Sequence, residues 1–167
     1  AKVKAADGYT YYMAVALLDT VLGKLAEEGQ KAYEILETYK GKDLEYKEYE
    51  PLYQCAYDCA SKQNKKAFFV TCDTYVTLTD GTGIVHTAYA YGEDDYRVCK
   101  KYDVTFYQNV DTTGHLNSLA GPFEGLFVKD ADPVILKYME ENGTLFAALP
   151  FEHNYPFCWR CDTPLIY

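Results

Sequence analysis

Short stretches of alternating apolar and polar residues, broken at three places by helical spacing and never in a regular strand-helix-strand rhythm, limit what this chain can fold into. Such a pattern predicts a mixed α/β domain, a sheet or barrel of mostly antiparallel strands decorated by about three helices. Lys2 to Ala6, the turn pair Asp7-Gly8 and Tyr9 to Ala14 read as a hairpin. A first helix is expected where Ala14, Leu17, Leu18, Val21, Leu22 and Leu25 share a face, with Glu27, Glu28 and Gly29 closing it. Half-buried strands are expected over Tyr33 to Tyr53, turning at Gly41-Lys42, then a loop over Ala60 to Lys66. Strand character resumes over Ala67 to Val70, Tyr75 to Leu78 and Gly83 to Ala90. A second helix begins near Glu93 and carries Tyr96, Cys99 and Tyr102, and Val104 to Val110 returns to strand. The third helix keeps Ala131, Val134, Ile135, Tyr138 and Met139 on one face, with Asp130 or Asp132 as cap, Pro133 in the first turn and Gly143 as stop. No internal repeat occurs, and residues 1–167 read as a single domain whose composition shifts only near Pro150.

With 167 residues, 49% of them hydrophobic, the chain can bury a core, and no apolar run reaches the roughly 20 residues of a membrane span. A net charge of −9 is the wrong sign for holding nucleic acid unaided, so any RNA contact is local or assisted. No DNA partner is expected. The N-terminal residues lack the apolar core of a signal peptide, and the six cysteines suit a reduced, cytoplasmic protein better than a disulfide scaffold. Both ends are abrupt, as in a piece of a larger protein. The 18 tyrosines suit packing better than an RNA-facing surface.

Two segments concentrate functional residue types: Gly81 to Tyr96 (GTGIVHTAYAYGEDDY) and His153 to Tyr167 (HNYPFCWRCDTPLIY). In the first, Gly81, Gly83 and Gly92 permit close backbone approach, His86 falls on an expected strand, and Glu93, Asp94 and Asp95 crowd a helix N-terminus. An acid there is placed to hold a cation such as an ammonium group, although acids in a first helical turn also serve simply as dipole complements. His86 with these carboxylates matches no metal signature, no Gly-x-Ser-x-Gly elbow occurs, and Gly81-Thr82-Gly83 is no phosphate loop. Cys72 and Cys99 read as buried small apolar residues. Cys158-Trp159-Arg160-Cys161 has half-zinc-ribbon spacing, with Cys55 and Cys59 a less usual second pair; a redox role has no supporting context. His115 and His153 read as surface or satisfied histidines.

Together the two segments closely resemble the isoleucyl-tRNA synthetase family, in the inserted editing domain that class I synthetases for Ile, Val and Leu share. FEGLFVKDADPVILKYMEENG (Phe123 to Gly143) and the opening KVKAADGYTYYMAVALLDTVLG extend the resemblance over nearly the whole chain. It implies a β-barrel-like domain that hydrolyses misacylated tRNA, chiefly Val-tRNA(Ile), within an enzyme that ligates isoleucine to tRNA(Ile) using ATP. By motif, Asp95 matches the acid that grips the substrate α-ammonium, and His86 the position that lines the amino-acid pocket and helps exclude isoleucine. Thr87, Gly83 and Gly92 then shape the pocket wall, with Asp94 a weaker candidate. Water would attack the ester with no cofactor. The partners implied are the tRNA(Ile) 3′ end and the remainder of the synthetase, and residues 153–167 would start the return connection to it.

Within the resemblance, Tyr89 stands where the family usually has Pro, and Tyr91 where it often has Phe or His. The Thr-rich segment that holds the terminal adenosine is expected before Ala1, and its absence implies impaired deacylation. The Rossmann signatures for amino-acid activation are missing. Cys158 and Cys161 correspond to half of a zinc site whose second CxxC lies outside the chain, so zinc is expected of the parent enzyme. The alternatives are a valyl- or leucyl-type editing domain, which typically carries Lys or Met in place of His86, and a non-catalytic docking module for the tRNA acceptor end.

Overall fold

The computed structural model describes residues 1–26, 30–150 and 154–165, and it divides into two compact units, Ala1–Tyr49 with Phe68–Thr87 and Glu50–Ala67 with Ala88–Tyr167. In the first unit the Asp7-Gly8 pair forms the expected turn, with Gly8 at φ +89° and Asp7 Oδ1 accepting the Tyr9 N–H at 2.9 Å. It joins β1 (Lys2–Ala5) to β2 (Thr10–Tyr12), paired antiparallel as Lys2↔Tyr12, Val3↔Tyr11 and Lys4↔Thr10. On the other side of β1 lies β3 (Tyr33–Glu37), also antiparallel, with a bulge between Lys2 and Val3. Alternation puts Val3 and Ala5 on one face, where they pack with Met13, Leu18 and Leu22; Val3 and Leu22 are wholly excluded from solvent.

The first helix is shorter than its spacing predicts. Only Leu18–Leu22 (α1) is α-helical, and single 3₁₀ turns, Val15–Leu17 and Gly23–Leu25, flank it. Leu17, Leu18 and Leu22 face inward as expected, whereas Leu25 is exposed. The proposed stop at Glu27, Glu28 and Gly29 lies outside the described residues.

Several predicted strands do not form. Gly41–Leu44 is a 3₁₀ turn, its Asp43 carboxylate accepting the Lys40 N–H. The chain at 46–49 runs beside 68–70 with three backbone hydrogen bonds, but Tyr46 and Phe68 both adopt positive φ (+65° and +59°). Left-handed residues break the pleat, leaving one bridge, Glu48↔Phe69. Residues 75–78 and 83–90 are irregular, with Gly81 and Gly83 left-handed between them, and Val104 to Val110 keeps only isolated bridges. The described strands therefore make one open sheet in the order β2-β1-β3. The mixed α/β class holds, and no barrel closes among the described residues.

The second unit is helical. Its α2 (Gln54–Gln63) follows the end of the predicted strands at Tyr53 and runs into the predicted loop over Ala60 to Lys66; Cys55, Ala56, Cys59 and Ala60 make a helical stripe, and Asn64, left-handed at φ +51°, ends it. The second predicted helix is α3 (Glu93–Lys101). The third is α4 (Val128–Glu141), which begins at Val128 without a side-chain cap. Asp130 falls in its first turn and Pro133 in its sixth position, so neither Asp130 nor Asp132 caps it; Gly143, at φ +65°, ends it as predicted. Leu116, Ala120, Phe123 and Ala131 form the core here, walled by Tyr53, Ile135 and Tyr138, with Phe123 edge-on to both tyrosine rings. No helix among the described residues is long and apolar enough to cross a membrane.

Candidate functional site

The segment Gly81 to Tyr96 is shared between the units, Gly81–Thr87 belonging to the first and Ala88–Tyr96 to the second. In the second unit Gly92, extended at φ 176°, stands at the N-cap of α3, so Glu93, Asp94 and Asp95 fill its first turn beside the unpaired N–H groups. Asp95 does not cap its own helix. Its Oδ1 accepts the backbone N–H of Ala88 at 2.7 Å and ties the incoming loop to α3. Among the described residues Oδ2 receives no hydrogen bond, and it lies so close to Gly92 that a β-carbon there would collide with it. A side chain at Gly92 would therefore displace the Asp95 carboxylate. The half-buried carboxylate is held by one oxygen and offers the other.

Asp94 points outward and pairs with Arg97 Nη2 at 3.0 Å, both side chains more than half exposed, an arrangement worth under about 1 kcal/mol. One turn after Asp95, Cys99 is buried, as predicted. Burial, with Asp95 nearby, pushes its thiol up from 9.0 to about 11. The outer face of α3 carries a depression of about 410 Å³ lined by Glu93, Asp94, Tyr96, Arg97 and Lys100, which does not include Asp95.

In the first unit Gly83 is left-handed at φ +74°, and a β-carbon on it would stand 2.5 Å from Ala14 Cβ, where Ala14 N–H donates to Thr82 O at 2.8 Å. Its glycine character is thus already required by packing on Ala14. His86 is exposed on irregular backbone rather than on a strand, because left-handed Gly81 and Gly83 precede it and no strand pairs with it among the described residues. Thr87 Oγ1 lies 3.4 Å from the Tyr75 hydroxyl.

Cys158 to Cys161 forms a tight turn. Phe157 bridges Pro164, the Cys158 N–H donates to Thr163 O, and the exposed Cys161 Sγ sits 3.1 Å from Thr163 Oγ1. The Thr163 hydroxyl, its backbone and Cys158 hold the Cys161 thiol below its ordinary value. Two thiols are half of a tetrahedral zinc set. No group of three or more His, Cys, Asp or Glu fit to hold a metal occurs among the described residues, so these do not complete the site. Cys55 and Cys59 lie one turn apart inside α2; a β-carbon on Gly121 would stand 3.0 Å from Cys55 Cβ, Cys59 is buried, and their role is packing. All six cysteines are free thiols, and Cys72 is half-buried rather than buried. His115, exposed, is satisfied by Thr113 Oγ1 at 2.9 Å, and its N–H donates to Asp111. His153 lies outside the described residues.

Two features were invisible in the residue pattern. The partner of Asp95 is a backbone N–H, which no side-chain motif signals, and Tyr89, Tyr96 and Phe106 meet across 17 residues of sequence.

No known family profile matches the chain. Individual curated relatives do, and they are aminoacyl-tRNA ligases. The chain is 49% identical over 161 residues to an isoleucine–tRNA ligase of Clostridium acetobutylicum and 41% identical over 170 residues to that of Thermococcus kodakarensis. A third, from Pyrococcus horikoshii, is 39% identical over 160 residues. These alignments cover 96%, 99% and 94% of the chain but only 14% to 15% of each relative. The chain belongs to the isoleucine–tRNA ligase family as one segment of that enzyme.

Proposed function

We propose that this segment is the editing domain of an isoleucyl-tRNA synthetase, in which both compact units form a single domain that hydrolyses Val-tRNA(Ile). The observation that carries the reading is Asp95, with Oδ1 held by Ala88 N–H and Oδ2 receiving no hydrogen bond among the described residues. Such a carboxylate suits the α-ammonium of an aminoacyl ester, since charge-assisted hydrogen bonds of this kind are worth about 1.5 to 3 kcal/mol. A second site is needed because one missing methylene changes binding by only about 1 to 3 kcal/mol in an apolar pocket, the isoleucyl enzyme being the standard illustration of that limit.

In the reaction, water oxygen adds to the ester carbonyl carbon, the bond from that carbon to the ribose oxygen breaks, and the ribose oxygen leaves with a proton from the water. Valine and free tRNA result. Asp95 fixes the amino acid so that the attack is effectively intramolecular, and positioning supplies most of the rate. His86, with Thr87, rejects the larger isoleucine side chain. The barrel closure, the remainder of the synthetase as partner, a cytoplasmic location and zinc held by Cys158 and Cys161 with ligands from outside the chain complete the proposal.

The test is release of amino acid from Val-tRNA(Ile) and Ile-tRNA(Ile) by the whole synthetase that carries this segment. Valine is released preferentially, Asp95→Asn slows it by about a hundredfold, and His86→Ala raises release of isoleucine. Equal rates for wild type and Asp95→Asn overturn the assignment, and tRNA binding without hydrolysis by either protein leaves a docking module.

A further inference from the structure

The loop that Asp95 holds at Ala88 is held a second time, three residues on, by Tyr91. Residues 88–91 close a turn in which the Tyr91 N–H donates to Ala88 O at 3.0 Å. The half-buried Tyr91 side chain meets Asn109, 18 residues away in sequence, where its hydroxyl donates to Oδ1 and accepts the backbone N–H, the latter at 3.0 Å. Each bond fixes the direction of the other. A backbone N–H only donates, so the hydroxyl oxygen accepts there and its one proton is left for Oδ1. Phenylalanine would fill the same space; what the hydroxyl adds is a fixed attachment.

Asn109 is anchored in its turn. Its carbonyl accepts the Asn117 N–H at 2.8 Å. Asn117 Nδ2 donates to Gln108 O at 3.1 Å, and Asn117 Oδ1 accepts the Leu119 N–H at 2.9 Å. The next residue, Val110, bridges Leu116 and packs on the core that Leu116 forms with Ala120, Phe123 and Ala131. A continuous run of contacts therefore leads from the core of the second unit through Asn109, Tyr91 and the 88–91 turn to Ala88, whose N–H meets Asp95 Oδ1 at 2.7 Å. The helix fixes the Asp95 backbone but not the plane of its carboxylate, because the terminal torsion of an aspartate is broad. Ala88 N–H sets that plane, and Tyr91 holds Ala88.

We propose that Tyr91 is a positioning residue: with Asn109 it latches the 88–91 turn, and through Ala88 it sets the direction of the Asp95 carboxylate. The proposal rests on the editing reading only for the substrate on which the effect shows. It is tested in the whole synthetase that carries this segment, with Tyr91→Phe, which keeps the ring and removes both bonds to Asn109. Hydrogen exchange followed by mass spectrometry reads the latch. In Tyr91→Phe the peptides that carry the Ala88 and Asn109 amides exchange about tenfold faster, while those of α4 keep the wild-type rate. Single-turnover release of valine from Val-tRNA(Ile) reads the consequence. Tyr91→Phe slows it about tenfold and Asp95→Asn about a hundredfold, and the double variant is no slower than Asp95→Asn alone, since the latch acts through the carboxylate. Wild-type exchange at Ala88 in Tyr91→Phe overturns the proposal. So does faster exchange in α4 as well, with the double variant about tenfold below Asp95→Asn, because the hydroxyl then supports the fold at large. Faster exchange at Ala88 with wild-type release, where Asp95→Asn is slow, also overturns it, since the carboxylate is then independent of the loop. If exchange at Ala88 rises as expected and Asp95→Asn releases valine at the wild-type rate, the latch stands and the editing reading falls.

Discussion

The carboxylate of Asp95 accepts the backbone N–H of Ala88 at 2.7 Å, so a residue in the first turn of α3 holds the loop that leads into that helix. The bond is made to backbone, and it therefore survives any change of side chain at Ala88 that keeps the N–H. It also restricts the carboxylate, because one oxygen cannot rotate away without releasing the loop. On the proposed reading, a ligand cation would meet an acceptor already in place, with little ordering left to oppose binding.

Gly92→Ala places a β-carbon against Asp95 Oδ2. The obstructing atom ends a short side chain, and φ at Gly92 is an extended value that any residue adopts, so the protein folds with stability within about 1 kcal/mol of wild type. Asp95 is displaced, and affinity for a valyl-adenosine analogue falls at least tenfold. Thermal melts beside a binding titration separate the two effects; a variant with wild-type affinity would show that Asp95 position does not matter.

Gly83→Ala acts on the fold. The residue would be left-handed at φ +74° with its β-carbon 2.5 Å from Ala14 Cβ, and strain with overpacking costs about 2 to 4 kcal/mol. Urea denaturation measures this as a lowered midpoint, and Ala14→Gly in the same chain restores part of the loss.

Cys99 makes stability depend on alkaline pH. Its thiol is raised to about 11, first by burial and then by Asp95, so the folded state favours the protonated form. The contribution is fully present below pH 9.0, the ordinary thiol value, and is lost as pH rises toward 11, on the order of 2 to 3 kcal/mol in all. Stability of wild type and Cys99→Ala, measured at steps across that window, falls more steeply in wild type; parallel curves would contradict the assignment.

Leu22→Ala removes a side chain wholly excluded from solvent and packed against the sheet through Val3. The transfer and cavity costs together amount to about 3 to 5 kcal/mol. Calorimetry detects it as a large fall in melting temperature.

By itself the sequence determined the elements whose signals are local. The Asp7-Gly8 turn sets the hairpin of β1 and β2, α3 begins at a Gly followed by three acids, and α4 is written in the spacing of Ala131, Ile135 and Tyr138. The helix α2 was not read from the sequence, because Cys55 and Cys59 stand out as a possible metal pair rather than as the small apolar residues of a stripe with Ala56 and Ala60. Asp95 stood out by motif. Only the tertiary structure decided where alternation becomes pairing, because a strand needs a partner and an alternating run contains no information about one. Tyr46 and Phe68, both good strand formers, turn left-handed where their rings pack on Phe69 and Tyr49. The structure alone likewise decided that Asp95 spends one oxygen on Ala88 and that Tyr89, Tyr96 and Phe106 meet, since backbone donors and distant rings leave no mark in residue spacing.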